Sequence, residues 1–308
     1  MKIIQSKFKL SLSKFKLTPC IFSLCALLSQ IVGAQQVAVT SEATLSAEGL
    51  LPTSLWELRD STERHEVQLS VELPCGNAPE AFVRLLEGKF GVFAAGLLRE
   101  WSGDEAGLCD TVRVTDNTSF MAFFDKVVDC VDSEVRAAAE VMTEAGLAAG
   151  TATLDYRLTA EWPGMATFGM NAYNYHPGAA HGMSVSYSET YDVQTLEAFS
   201  LAHFADTLAL KRLVCEALTE SFEDPLEQVL FEPVDPASPD FGCAFPLPQA
   251  APFLTAGGVA FVYQPYEIAP FAFGLPMAVV PYADALQCAS PEGRRWIERA
   301  MQATGSED

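Results

Sequence analysis

Between Leu154 and Val193 apolar and polar residues alternate through three successive runs. Leu154, Tyr156, Leu158, Ala160 and Trp162 share one face of the first run, and Thr167 to Tyr175 forms the second. Met183, Val185, Tyr187, Tyr191 and Val193 mark the third. A period of two places alternate side chains on opposite faces, as a half-buried strand requires. Pro163-Gly164 supplies a turn, because proline presets φ and glycine accepts φ > 0. Strands joined by so few residues run antiparallel. This stretch therefore predicts a meander, around which the rest of the chain has to pack.

Upstream, Val67, Leu69, Val71 and Leu73 predict another strand over 65–73, and Pro79 to Glu87 reads as a short helix burying Phe82, Leu85 and Leu86. A longer helix is predicted over 119–145. Phe120, Phe123, Val127, Val131, Val135, Ala138 and Met142 recur every three or four residues, with Ser119 as cap and Gly146 as stop. Such a stripe is assigned to core. Downstream, Leu210, Leu213, Val214, Ala217 and Leu218 mark a helix. The seven prolines of 223–252 exclude a helix or central strand and predict an ordered surface loop. Strands follow at 253–254, 259–263 and 277–282, then a helix opened by Ser290-Pro291. Strand runs broken by separate helices indicate an α+β fold, with antiparallel sheets packed on a few helices.

The first 34 residues hold five lysines and no acid, then the apolar run Leu17–Ile31, then Val32-Gly33-Ala34. This order is that of a signal peptide, and the run is short for a membrane span. Residues 1–34 are therefore expected to be a leader, and 35–63 a lead-in or tether. An N-terminal α+β part is expected over 64–195 and a C-terminal part over 196–308. The expected destination is outside the cytoplasm, in the periplasm or on the cell surface, with no transmembrane span in the mature chain. The formal net charge of −21 repels phosphate backbones, and no basic patch offsets it, so nucleic-acid binding is excluded. Beyond the leader stand Cys75, Cys109, Cys130, Cys215, Cys243 and Cys288. An even count in an oxidising compartment predicts one to three disulfides, with buried thiols as the alternative.

Two constellations could carry function. In Tyr175-His176-Pro177-Gly178-Ala179-Ala180-His181-Gly182, two imidazoles share a tight loop. Their spacing of five, without a neighbouring Asp or Cys, fits no zinc pattern. A histidine here can bond to backbone carbonyls and lock the loop, or contact a ligand. The second constellation runs from Tyr263 to Gly274 and includes Tyr266-Glu267 between prolines. Glu267 can accept backbone N–H groups and hold the crossing in place. A catalytic role would need a second carboxylate opposite it, such as Glu189, Asp192 or Asp284. The sequence contains no GxSxG, HExxH, P-loop or GxGxxG signature. No catalytic residue, cofactor or metal is assigned. Tyr175, His176, Gly178, His181, Tyr266 and Glu267 are the candidate ligand-binding or loop-defining residues.

Together these segments resemble an uncharacterised extracytoplasmic bacterial domain, found as the outer part of lysozyme-sensing anti-sigma factors and beside the catalytic domain of some peptidoglycan deacetylases. The family's Gly-Gly-Ala-His loop reads here as Gly178-Ala179-Ala180-His181-Gly182, with Ala179 in place of the second glycine. Its later strand, Tyr-Glu pair, Pro, Gly and second strand match Val259–Tyr263, Tyr266-Glu267, Pro270, Gly274 and Met277–Tyr282. The resemblance spans roughly 66–286. It implies an α+β fold and recognition of a ligand, either a basic protein such as lysozyme or a cell-wall component. The segment ahead of the apolar run is too short for a sigma-binding region, so anti-sigma signalling is not carried over. The competing expectation is a peptidoglycan- or glycan-modifying hydrolase using Glu267 or His181.

Overall fold

Strand β2 (His65–Pro74) forms part of a hydrophobic core because Val67, Leu69, Val71 and Leu73 all turn to one side and are buried. The computed structural model describes residues 51–102, 112–141, 148–232, 234–235 and 237–304. The leader 1–34, the first part of the lead-in, Cys109 and the Gly146 helix stop lie outside the described residues, as does the Cys243 side chain. The expected lead-in over 35–63 is corrected at its end, where Thr53–Ser61 is strand β1, antiparallel to β2. As an edge strand it buries little, and its polar residues hide the alternation.

The meander forms as β3 (Gly150–Trp162), β4 (Met165–Tyr175) and β5 (Met183–Asp192), giving a five-stranded sheet in the order β1-β2-β3-β4-β5. One pair departs from the antiparallel expectation, since β2 and β3 run parallel. The connection between them is long enough for this because it holds two helices. The first, α1, runs over Glu80–Ser102, well beyond the predicted 79–87. Its glycines 88, 91 and 96 do not end it, since each costs a helix only about 1 kcal/mol. At Gly91 a Cβ would lie 2.4 Å from the Val112 carbonyl oxygen, so the missing side chain permits a close approach. The second helix, α2, spans Asn117–Val141 and buries Phe120, Phe123, Val127, Val131 and Val135. Full burial of such side chains stabilises by roughly 1.5–3 kcal/mol each. The cap is Asp116 instead of Ser119. Its carboxylate accepts the Ser119 N–H at 2.8 Å, and the Ser119 hydroxyl accepts the Asp116 N–H at 3.1 Å. The Ser119 N–H, with the Ser119 hydroxyl donating to the same carboxylate, holds the Asp116 carboxyl below its ordinary range.

Beyond β5, α3 (Thr207–Ser221) starts at an Asp206 cap and buries Leu210, Val214, Cys215 and Leu218. Two single-turn helices, α4 (Leu226–Val229) and α5 (Phe241–Ala244), lie inside the proline-rich stretch. That stretch is less of a surface loop than predicted, because Phe241 and Phe245 are fully buried. A second sheet follows in the order β6 (Phe253–Thr255), β7 (Gly258–Val262), β8 (Met277–Val280), all antiparallel. The predicted strand 277–282 stops at Val280, because Pro281 cannot donate to a ladder and caps α6 (Tyr282–Cys288). Helix α7 (Pro291–Thr304) ends the described chain, with the Ser290 hydroxyl accepting the Gly293 N–H.

Two large hydrophobic clusters result, one between the large sheet and α1–α2, the other around the small sheet with α3, α6 and α7, beside a small third one of Phe253, Ala260 and Val262. Buried threonines tie the sheets together. The Thr167 hydroxyl donates to the Leu254 carbonyl at 2.9 Å, and the Leu254 N–H donates to the Thr190 hydroxyl at 2.7 Å. The two hydroxyls are themselves 2.7 Å apart. If Thr190 donates to Thr167, every group is satisfied in one closed ring. Among the described residues no helix is long and apolar enough to cross a membrane, and Cys75, Cys215 and Cys288 are free thiols.

Candidate functional site

The histidine loop turns where its glycine demands. The Ala179 N–H donates to the His176 carbonyl at 3.0 Å, with Pro177 and Gly178 at the two central positions and Gly178 at φ +85°. A type II turn requires this positive φ at its third residue, so Ala179, one place further on, needs no glycine. Gly182 is needed for a different reason. A Cβ there would fall 2.3 Å from the Tyr173 ring.

The loop's two imidazoles have different destinations. His176 packs against Trp101 with ring centroids 4.2 Å apart, and its Nδ1 lies 2.7 Å from Glu134 of α2. It fastens the end of β4 to both helices. Tyr175, the last residue of β4, pairs with Thr151 of β3. His181 instead reaches across to the tyrosine–glutamate segment. Its Nδ1 is 2.8 Å from the Gly182 carbonyl, and its Nε2 is 2.9 Å from the Tyr266 hydroxyl. A carbonyl can only accept, so Nδ1 carries a proton, and in the tautomer this selects Nε2 is the acceptor for the Tyr266 O–H. Its ring stacks on Phe271 at 4.1 Å, and Tyr266 lies 6.1 Å from the same ring.

The 175–182 loop and the 263–274 crossing thus meet in an aromatic platform of His181, Tyr266 and Phe271. Tyr266 is 48% exposed and sits at φ +63°, a left-handed conformation uncommon outside glycine. Beside it opens a cleft of about 570 Å³, lined by Tyr187, Gln249, Gln264, Tyr266 and Glu267 among others.

Glu267 lies at this cleft with both carboxylate oxygens in use. The Gln249 N–H donates to one at 2.7 Å and the Gln264 N–H to the other at 2.8 Å. It thereby joins the end of the proline-rich stretch to the crossing. Buried Tyr263 adds a second tie by donating to the Pro246 carbonyl at 2.9 Å. The three carboxylates considered as partners for Glu267 are held by other groups. Glu189 pairs with Lys89 and accepts the Tyr191 hydroxyl. Asp192 accepts from Gln194, Thr195 and Arg299, and Asp284 accepts from Gln287. Among the described residues no cluster of His, Cys, Asp and Glu is arranged to hold a metal. Sequence reasoning did not single out Phe271, Gln264 or Tyr187. Phe271 and Gln264 stand in the 263–274 segment already noted, whereas Tyr187 of the meander joins the site only through folding.

Fold and site together describe an α+β protein with an exposed aromatic platform. Residues 209–283, from α3 to the start of α6, match the model of a family described as "Protein of unknown function (DUF3298)". This match includes the Tyr266-Glu267 crossing and leaves out the histidine loop. The chain is also similar to the crystal structure of a DUF3298 family member from Bacteroides fragilis, at 12% identity and a TM-score of 0.56, covering 82% of this chain and 98% of that one. A DUF3298 family protein from Pseudomonas aeruginosa aligns at 14% identity and a TM-score of 0.48, covering 79% and 96%. No curated protein matches. The named matches include neither an anti-sigma factor nor a deacetylase.

Proposed function

We propose that this is an exported cell-envelope protein that recognises a ligand and performs no chemistry, with the His181–Tyr266–Phe271 platform and its cleft as the recognition face. The observation that carries this reading is the use already made of the polar groups there. Both oxygens of Glu267 accept main-chain amides and His181 is bonded at both nitrogens, so neither stands free beside a second acid or base. Exposed aromatic rings on a preset backbone give contact area at low entropic cost. The formal charge of −21 favours a basic partner and speeds its approach. A lysozyme-like protein is the partner proposed, with a cell-wall component as the second candidate.

Calorimetry with hen egg-white lysozyme at low and high salt tests this. Binding that weakens with salt, and about tenfold further in Tyr266→Ala, is the expected result. Absence of binding at both salt levels removes the protein partner. Release of acetate or reducing sugar from purified cell wall, lost in His181→Ala, replaces recognition with catalysis.

A further inference from the structure

We infer that the outer edge of β5 takes up an extended segment of a basic partner protein as an added strand. This rests on the recognition reading and supplies its mode.

β5 is the last strand of its sheet, so every second residue turns its N–H and C=O away from β4. Toward the C-terminal end of β5 these outward groups have partners within the chain. Asp192 is bonded by Leu196 and Glu197, and the Thr190 carbonyl by the Phe199 N–H. At Ser186 the partner is a side chain. The Gln264 amide accepts the Ser186 N–H at 3.3 Å and donates to the Ser186 carbonyl at 2.6 Å. A primary amide offers the same donor and acceptor as a peptide group, so Gln264 occupies the place of one residue of a neighbouring strand. Ser184 and Ser188 have the same parity, and among the described residues nothing pairs with their outward main-chain groups. An edge of unpaired groups is a template for strand addition.

The cleft of about 570 Å³ lies along this edge, between Tyr187 and the 264–267 crossing. Tyr187 is 36% exposed and Tyr266 stands at the rim, so alternate side chains of an added strand meet aromatic rings. The serines are short and let a second backbone come close. Charge selects the occupant. A second copy of a chain at −21 is repelled, whereas a basic extended segment is attracted. On binding, that segment displaces the Gln264 amide and pairs with Ser184, Ser186 and Ser188.

The test uses the full chain and a fluorescent six-residue peptide of alternating lysine and valine, followed by anisotropy. A lysine–proline peptide of equal charge has fewer N–H groups to pair and is the control. Ser188→Pro removes an outward N–H that makes no bond to β4, a position where an edge strand tolerates proline. Ser184→Pro is the second variant should the first lower the melting temperature. The lysine–valine peptide is expected to bind, the lysine–proline peptide to bind at least about tenfold more weakly, and Ser188→Pro to weaken binding by about tenfold. Gln264→Ala, which clears the edge, is expected to tighten it several-fold. No binding, equal binding of both peptides, or unchanged affinity in both proline variants overturns the inference. Lysozyme binding measured in parallel separates the two ideas. Lysozyme bound with the peptide rejected leaves the recognition face and removes the added strand. Peptide bound with lysozyme rejected leaves the edge and removes that partner.

Discussion

Glu267 offers the sharpest separation between a supporting and a reacting carboxylate. In Glu267→Gln one oxygen still accepts a main-chain N–H, but the new NH₂ faces a second N–H that the carboxylate had bonded at 2.7 or 2.8 Å. A hydrogen bond to a charged acceptor contributes about 1.5–3 kcal/mol, and the remaining neutral bond is weaker. Because the group is half-buried, screening lowers the loss to about 2 kcal/mol. For a unit of this size that corresponds to a fall in melting temperature of roughly 4–8 °C. Glu267→Asp is expected to fall similarly, since the shorter stem cannot reach both Gln249 and Gln264. Differential scanning calorimetry reads both variants, and binding of lysozyme by the remaining folded protein is measured alongside. A Glu267→Gln variant that melts at or above the parent refutes the supporting role, because the carboxylate then stabilises nothing and is free for another task.

Two further perturbations probe the frame around the site. Burial raises the Asp192 carboxyl, but the N–H groups of Thr195 and Gln194 and the Arg299 guanidinium outweigh it and hold it below its ordinary range. A depressed acid stabilises the fold above its unfolded value, about 3.9, and that contribution is lost as pH falls through the lower folded value. Asp192→Asn should therefore flatten the acid limb of a stability–pH curve below about pH 4, and an unchanged limb in urea melts argues against the tie to α7. Burial pushes the Cys288 thiol up to about 11, and burial together with Glu216 raises Cys215. Alkylation of the native protein at pH 8, read by mass spectrometry, should modify Cys75 first and leave both buried thiols until the protein unfolds.

Much of the scaffold was legible because it depends on local periodicity. The strand at 65–73, the three runs of the meander, the α2 stripe and the Ser290-Pro291 helix start are set by spacing and capping, which neighbours along the chain determine. Errors came where a local signal had two meanings. The helix expected over 79–87 runs on through Gly88, Gly91 and Gly96, of which Gly91 alone serves a close approach, to the Val112 carbonyl. The polar edge strand β1 looked like a tether because half of it faces water.

The candidate residues were also named from sequence, since turn glycines, paired histidines and a glutamate between prolines stand out in any chain. Their division of labour was not. Whether His176 or His181 meets Tyr266 depends on which way each side of a type II turn faces, and the partners lie 85 residues apart. Sequence alone determined the meander, the strand at 65–73, the apolar stripes of α2 and α3, the start of α7 and the two segments of interest, because these follow from the order of apolar, turn-forming and capping residues. Only the tertiary structure decided that the segments meet, through the ring of Thr167, Thr190 and Leu254 that sets one sheet against the other. Hydrogen bonds between distant buried groups leave no periodic trace along a chain, so they become visible only once it is folded.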